Sequence, residues 1–112
     1  MGKNFYKTCN DLKRELGEQE ALEIINYLEP KLQERQQQFI QILRAKNSTE
    51  ISRYAHKTKG SIAYYGTYSL NDLLEKIIKI ECVNDILIDD LINSINLEFN
   101  IILDYWRNCK NK

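Results

Sequence analysis

The chain has 112 residues, 43% hydrophobic and 29% charged, the size and make-up of one ordinary globular domain with a modest core of its own. Lys plus Arg and Asp plus Glu number 16 each, so the formal charge is zero and the excess of cations behind general nucleic-acid binding is absent. No apolar run reaches the roughly 18 to 20 residues of a membrane span, and the start from Met1 to Tyr6 lacks the apolar stretch of a secretory signal.

A single domain over 1–112 is the simplest reading, because one Pro and four Gly leave long stretches of helix formers with no repeat or linker. Met1-Gly2 with Asn4 faintly suggests a myristoylation start, but Tyr6 stands where Ser or Thr is expected. A short helix is predicted over Phe5 to Leu16, stopped by Gly17. A long one follows from Glu18 to Lys46, with Leu22, Ile25, Leu28, Leu32, Phe39 and Leu43 near one stripe. Pro30 lies inside it and predicts a bend rather than a break, since the stripe continues beyond it. Asn47 and Glu50 make a helix start of the capping-box kind, opening a helix that runs to Tyr65 and ends at Gly66. Ser69 with Asp72 starts the next, turning Leu70, Leu73, Leu74 and Ile77 inward. Asn84-Asp85 opens the last, whose face is Ile88, Leu91, Ile92, Ile95, Phe99, Ile102 and Trp106. Four substantial amphipathic helices with short connections predict an all-α, antiparallel up-down four-helix bundle with a short N-terminal capping helix.

Cys9, Cys82 and Cys109 are widely spaced and odd in number. They match neither a disulfide framework nor a zinc site, and free thiols in a reducing cytoplasm are expected. His56 is the only histidine, which further weakens a metal reading. No metal and no bound cofactor are expected.

The chemistry-bearing stretch is Tyr54-Ala55-His56-Lys57-Thr58-Lys59-Gly60-Ser61. On a helix, Ile51, Ala55, Thr58, Ile62 and Tyr65 point toward the bundle, while Ser52, His56, Lys59, Gly60 and Ala63 share a neighbouring face. That face holds one imidazole and one amine among small side chains, where an ordinary solvated face carries several long charged ones. A neutral imidazole is nucleophilic near pH 7, since its pKa is about 6.5. It can take a phosphoryl group from an acyl phosphate and give it up again. Lys59, one turn away, is placed to neutralise charge on that group. Gly60 in a helix interior costs about 1 kcal/mol relative to Ala, and close approach of a partner gives it a reason. Taken singly, each residue has a plainer role: His56 as a surface or core histidine, Lys59 as a solvated charge, Gly60 as a packing notch between helices.

The segment Ala55-His56-Lys57-Thr58-Lys59-Gly60-Ser61 resembles the A-H-x-x-K-G-S signature of histidine-containing phosphotransfer (HPt) domains. Gly66 and Leu70 also sit where that family has a Gly and a Leu. The likeness extends more loosely over nearly the whole chain, from a cap helix through a Pro-containing helix and the His helix to two more. The resemblance implies that His56 accepts the phosphoryl group through Nε2 and that Lys59 steadies it. It also implies a docking surface around Gly60, formed with Ser52, Arg53, Lys57, Ser61, Ala63 and Tyr64. The implied partners are response-regulator receiver domains and a hybrid histidine kinase, with Mg²⁺ brought by the receiver. The chain itself would be a monomeric carrier, not an enzyme, and Met1 with a full set of helices favours a free-standing protein. Some family members orient the imidazole with a Gln on the following helix. Near the matching place this sequence has Ile77, Ile78 and Lys79, so either another group orients the ring or Lys79 adds a second positive charge.

Two other readings compete. One is an adaptor of the same fold that docks receivers without transferring phosphate, for which neither His56 nor Lys59 is needed. The other is a small enzyme using His56 as general base, which requires a concave pocket and a second titratable partner.

Overall fold

The structure, a computed structural model, describes residues 5–110; the Met1-Gly2 start discussed above lies outside them. Among the described residues there are five helices and no strand: α1 (Cys9–Leu16), α2 (Glu18–Arg44), α3 (Ser48–Ser61), α4 (Tyr68–Ile78) and α5 (Asp85–Lys110). None of these helices is long and apolar enough to cross a membrane.

The first helix starts later than its composition suggests. Thr8 caps it, its hydroxyl accepting the Asp11 N–H at 3.0 Å while the Asp11 carboxylate accepts the Thr8 N–H at 3.0 Å. That reciprocal pair fixes Thr8 in an extended conformation and keeps residues 5–8 out of the helix. Phe5 instead forms an isolated antiparallel bridge with Thr67, and its buried ring lies 4.2 Å from that of Tyr105. Gly17, at φ +88°, then ends α1 and begins α2, a conformation that favours glycine.

Pro30 sits within α2, which runs through it unbroken. The helix ends at Arg44 rather than Lys46, because Lys46 takes a left-handed backbone with φ 60°. Asn47 caps α3 as expected, accepting the Glu50 N–H at 3.1 Å, but the Glu50 carboxylate pairs with Arg53 rather than reaching back to close a capping box.

Helix α3 stops at Ser61, one turn short of the predicted Tyr65. Residues 62–65 form a turn whose exit is tight: the Gly66 N–H reaches the Ile62 carbonyl at 2.8 Å. A Cβ on Gly66 would lie 2.7 Å from Ile62 Cδ1 and 2.7 Å from the Ile62 carbonyl oxygen. Glycine is required there by space, and the backbone swings away toward α4 instead of continuing the helix. Thr67, not Ser69, caps α4, accepting the Leu70 N–H at 3.0 Å. Ser69 turns its hydroxyl to Glu98 on α5 at 2.7 Å. Asn84 caps α5 through the Leu87 N–H at 2.8 Å.

Apolar residues from all five helices meet in one core. Ile25, Leu32, Phe39 and Leu43 enter it from α2, Ile51 and Ala55 from α3, Leu70, Leu74 and Ile77 from α4, and Ile95, Phe99, Ile102 and Trp106 from α5. Burying a side chain of this size contributes roughly 1.5–3 kcal/mol, so these stripes decide which face of each helix turns inward. Helix α2 packs on α1, α3 and α5, while α4 packs on α3 and α5.

The cysteines are the largest departure from expectation. Cys9, the first residue of α1, is joined by a disulfide to Cys109 near the end of α5, with Cα atoms 6.4 Å apart. Only Cys82 is a free thiol, and it is exposed. Cys9 and Cys109 meet because the start of α1 lies against the last turns of α5, a closure across 100 residues that spacing does not reveal.

Candidate functional site

Helix α3 presents two faces of different character. Ile51, Ala55 and Thr58 are buried, with the Thr58 hydroxyl accepting from Arg35 Nη1 at 3.2 Å. His56, Lys57 and Gly60 are exposed, and Lys59 is half-buried. The alternation follows from helix geometry: residues three and four apart share a face, so the apolar set Ile51-Ala55-Thr58 turns His56 outward.

Around His56 the predicted docking residues divide. Ser52, one turn earlier, is partly buried, its hydroxyl donating to the Ile78 carbonyl at 2.7 Å and tying α3 to the end of α4. Arg53 is exposed and engaged with Glu50 on its own helix at 2.8 Å. Ser61 is exposed and donates to the Thr58 carbonyl at 2.9 Å. Ala63 and Tyr64 are also exposed but lie in the turn after the helix, so they flank the His56 face rather than continue it. Tyr64 is 45% exposed; its hydroxyl meets Glu15 at 3.4 Å and the Lys7 ammonium lies 5.5 Å from its ring centroid. A Cβ added at Gly60 would meet nothing within 4 Å. Gly60 is therefore not a packing notch between helices; it faces open space.

The sequence reading missed Glu75. This α4 residue forms an ion pair with Lys59, both side chains being a little over one-third exposed. Lys59 holds the Glu75 carboxyl below the usual carboxylate range, first by hydrogen bonding and then by its charge, with Lys79 and His56 acting the same way. To the one imidazole and one amine among small side chains that the sequence predicts, the structure thus adds a carboxylate from α4. His56 stands in a small field of alternating charge made by Lys59, Glu75 and Lys79. Glu75 was invisible because the pair spans 16 residues and two helices; α4 periodicity, with Leu74 inward, could only have put it on an outer face.

One aromatic residue, Tyr6, also lies near Lys59. Tyr6 packs edge-on against Tyr68, with centroids 4.5 Å apart. Its hydroxyl is pushed up, mainly by burial and further by Tyr68 and Asp72, while nearby Lys59 pulls it back. Among the described residues no side chain hydrogen-bonds the imidazole of His56, and no group of three or more His, Cys, Asp or Glu is arranged to hold a metal ion. A shallow cleft begins beside the site, between Ser48, Thr49, Ser52 and Arg53 of α3 and Ile80 and Glu81 beyond α4. His56 stands outside that cleft.

Chemically the site offers an exposed imidazole, one amine a turn away that is held by Glu75, and room above Gly60. No protein-family model, curated protein or solved structure matches the chain.

Proposed function

We propose that this chain is a histidine phosphotransfer module of a phosphorelay, working in the cytoplasm between receiver domains. The observation that carries the reading is the exposed His56 beside Lys59 on a helix face that opens at Gly60. An imidazole that serves as a transient phosphoryl carrier must be reached by a second protein, so a projecting position suits it where a pocket would not. Helix packing supports the same reading, because α2–α3, α3–α4, α4–α5 and α5–α2 contacts close a ring. Short connections make such neighbours antiparallel, as in a four-helix bundle capped by α1.

In the transfer step, the lone pair on His56 Nε2 attacks the phosphorus of a receiver's phosphoaspartate. The N–P bond forms as the acyl O–P bond breaks, and the aspartate leaves as a carboxylate. The phosphoryl oxygens need neutralising charge throughout. Lys59 supplies it by letting go of Glu75, which an exposed ion pair permits at little cost. Mg²⁺ comes with the receiver. Gly60 lets the partner backbone come close. The reverse reaction, on a second receiver, returns Lys59 to Glu75.

Incubation with a receiver carrying labelled phosphoaspartate tests this. The chain should acquire an acid-labile, alkali-stable label, and His56→Ala should abolish it with unchanged helical circular dichroism. Labelling of His56→Ala equal to wild type overturns the assignment.

A further inference from the structure

A disulfide is at odds with a reducing cytoplasm, where thiols are kept reduced unless the bond is transient or redox-sensing. The Cys9–Cys109 bond therefore calls for a role, and its position suggests one. Residues 5–9 form a clasp across the exit of the His helix. The Tyr6 N–H donates to the Gly66 carbonyl at 2.9 Å, Phe5 bridges Thr67, and Tyr6 packs on Tyr68. Lys7 reaches over the Tyr64 ring, and Glu15 of α1 meets the Tyr64 hydroxyl. The clasp thus holds Tyr64 and Tyr68, and its own Tyr6 lies near Lys59 of the His56 face. Its other end is anchored on α5, where the Cys9 N–H donates to the Tyr105 hydroxyl at 3.0 Å and the disulfide closes covalently.

We propose that the Cys9–Cys109 disulfide is a redox latch that holds this clasp on the His-helix exit, so that its reduction loosens the Tyr64–Tyr68 side of the docking face. The link to docking rests on the phosphotransfer reading; the release of the clasp does not. Both sulfurs belong to residues only 7% exposed, yet both cysteines line a surface cleft with Phe5, Lys13, Ile101 and Tyr105, the side from which a reductant approaches. A dithiol acts in two exchanges. One of its thiolates attacks Cys109 Sγ, the S–S bond breaks, and Cys9 leaves as a thiolate, later protonated. The second thiol of the reductant then displaces Cys109, which takes up a proton, and the reductant becomes a disulfide. Two electrons and two protons pass to the protein. Cys9 is the better leaving group because the N-terminal end of α1 stabilises its thiolate, whereas Cys109 lies at the negative end of α5.

The test compares oxidised wild type, wild type treated with dithiothreitol, and Cys109→Ser. Thiol titration of the folded oxidised protein should count Cys82 alone. Hydrogen exchange at the Tyr6 amide should quicken at least about tenfold on reduction, with Cys109→Ser matching the reduced form and ignoring dithiothreitol. Affinity for a receiver should fall several-fold in both, since a preorganised face is loosened. Three reactive thiols in the oxidised protein, or an equally protected Tyr6 amide in both redox forms, overturns the latch. Equal receiver affinity in the two forms overturns its link to docking. If no receiver binds either form, the phosphotransfer reading fails instead, and Tyr6 exchange alone decides the latch.

Discussion

Lys59 on α3, one turn from His56, forms an ion pair with Glu75 on α4, so the cation assigned to the phosphoryl group already has a partner in the resting protein. The pair sets how strongly Lys59 is available. Glu75→Gln leaves Lys59 free, and transfer should then quicken about two- to fivefold, the range such a pair can set. Lys59→Ala should slow transfer on the order of tenfold without unfolding the helices. Time courses of label loss and transfer check both; an unchanged rate in Lys59→Ala removes that residue from the chemistry.

Gly60 and Gly66 make opposite predictions. Gly60 faces open space, so Gly60→Ala should leave the fold intact or stabilise it by up to about 1 kcal/mol, while slowing transfer on the order of tenfold by holding the partner off. Gly66→Ala drives a methyl into Ile62 and should destabilise by about 1–3 kcal/mol. Urea unfolding set beside transfer rates separates the two effects. A Gly60→Ala variant that transfers at the wild-type rate contradicts the docking role.

The sequence predicted local features well and long-range ones poorly. The Asn47 cap, the Gly17 stop and the inward set Ile51, Ala55, Thr58 and Ile62 follow from rules acting over four residues, and the structure has each of them, with Tyr65 of the same set only partly buried against the core. The ends of elements shifted where distant contacts intervened. Phe5 left the predicted helix to bridge Thr67, and Ser69 was drawn to Glu98 while Thr67 took the cap. At the site, the exposure of His56 and Gly60 was readable from helix periodicity. Glu75 was not, because it reaches Lys59 from another helix. Pairing of Cys9 with Cys109 depended on where the first residue of α1 meets α5, and neither spacing nor count encodes that.

Stability should depend on pH through Glu29 of α2. Its side chain is 14% exposed and pairs with Arg107 and Lys110 at the end of α5. Lys110, mainly through its hydrogen bond, and then Arg107 hold its carboxyl below the usual range, although burial works the other way. A depressed folded value means the contribution is fully present above the unfolded carboxylate pKa of about 4.3 and is lost as the pH falls through the folded value. Glu29→Gln should therefore lower stability on the order of 1 kcal/mol at neutral pH, with the gap to wild type closing under acid conditions. Denaturant titrations at neutral and acid pH check this; an equal gap at both contradicts it.

The central claim is that His56 carries a phosphoryl group between two proteins, and a two-stage transfer addresses it most directly. The chain is labelled by one phosphorylated receiver, purified away from it, and mixed with a second, unlabelled receiver. The account predicts that label mapped to His56 moves to an aspartate of the second receiver, and that His56→Gln never enters the relay. Receiver binding with no label on His56 would contradict the account and make the chain a docking adaptor.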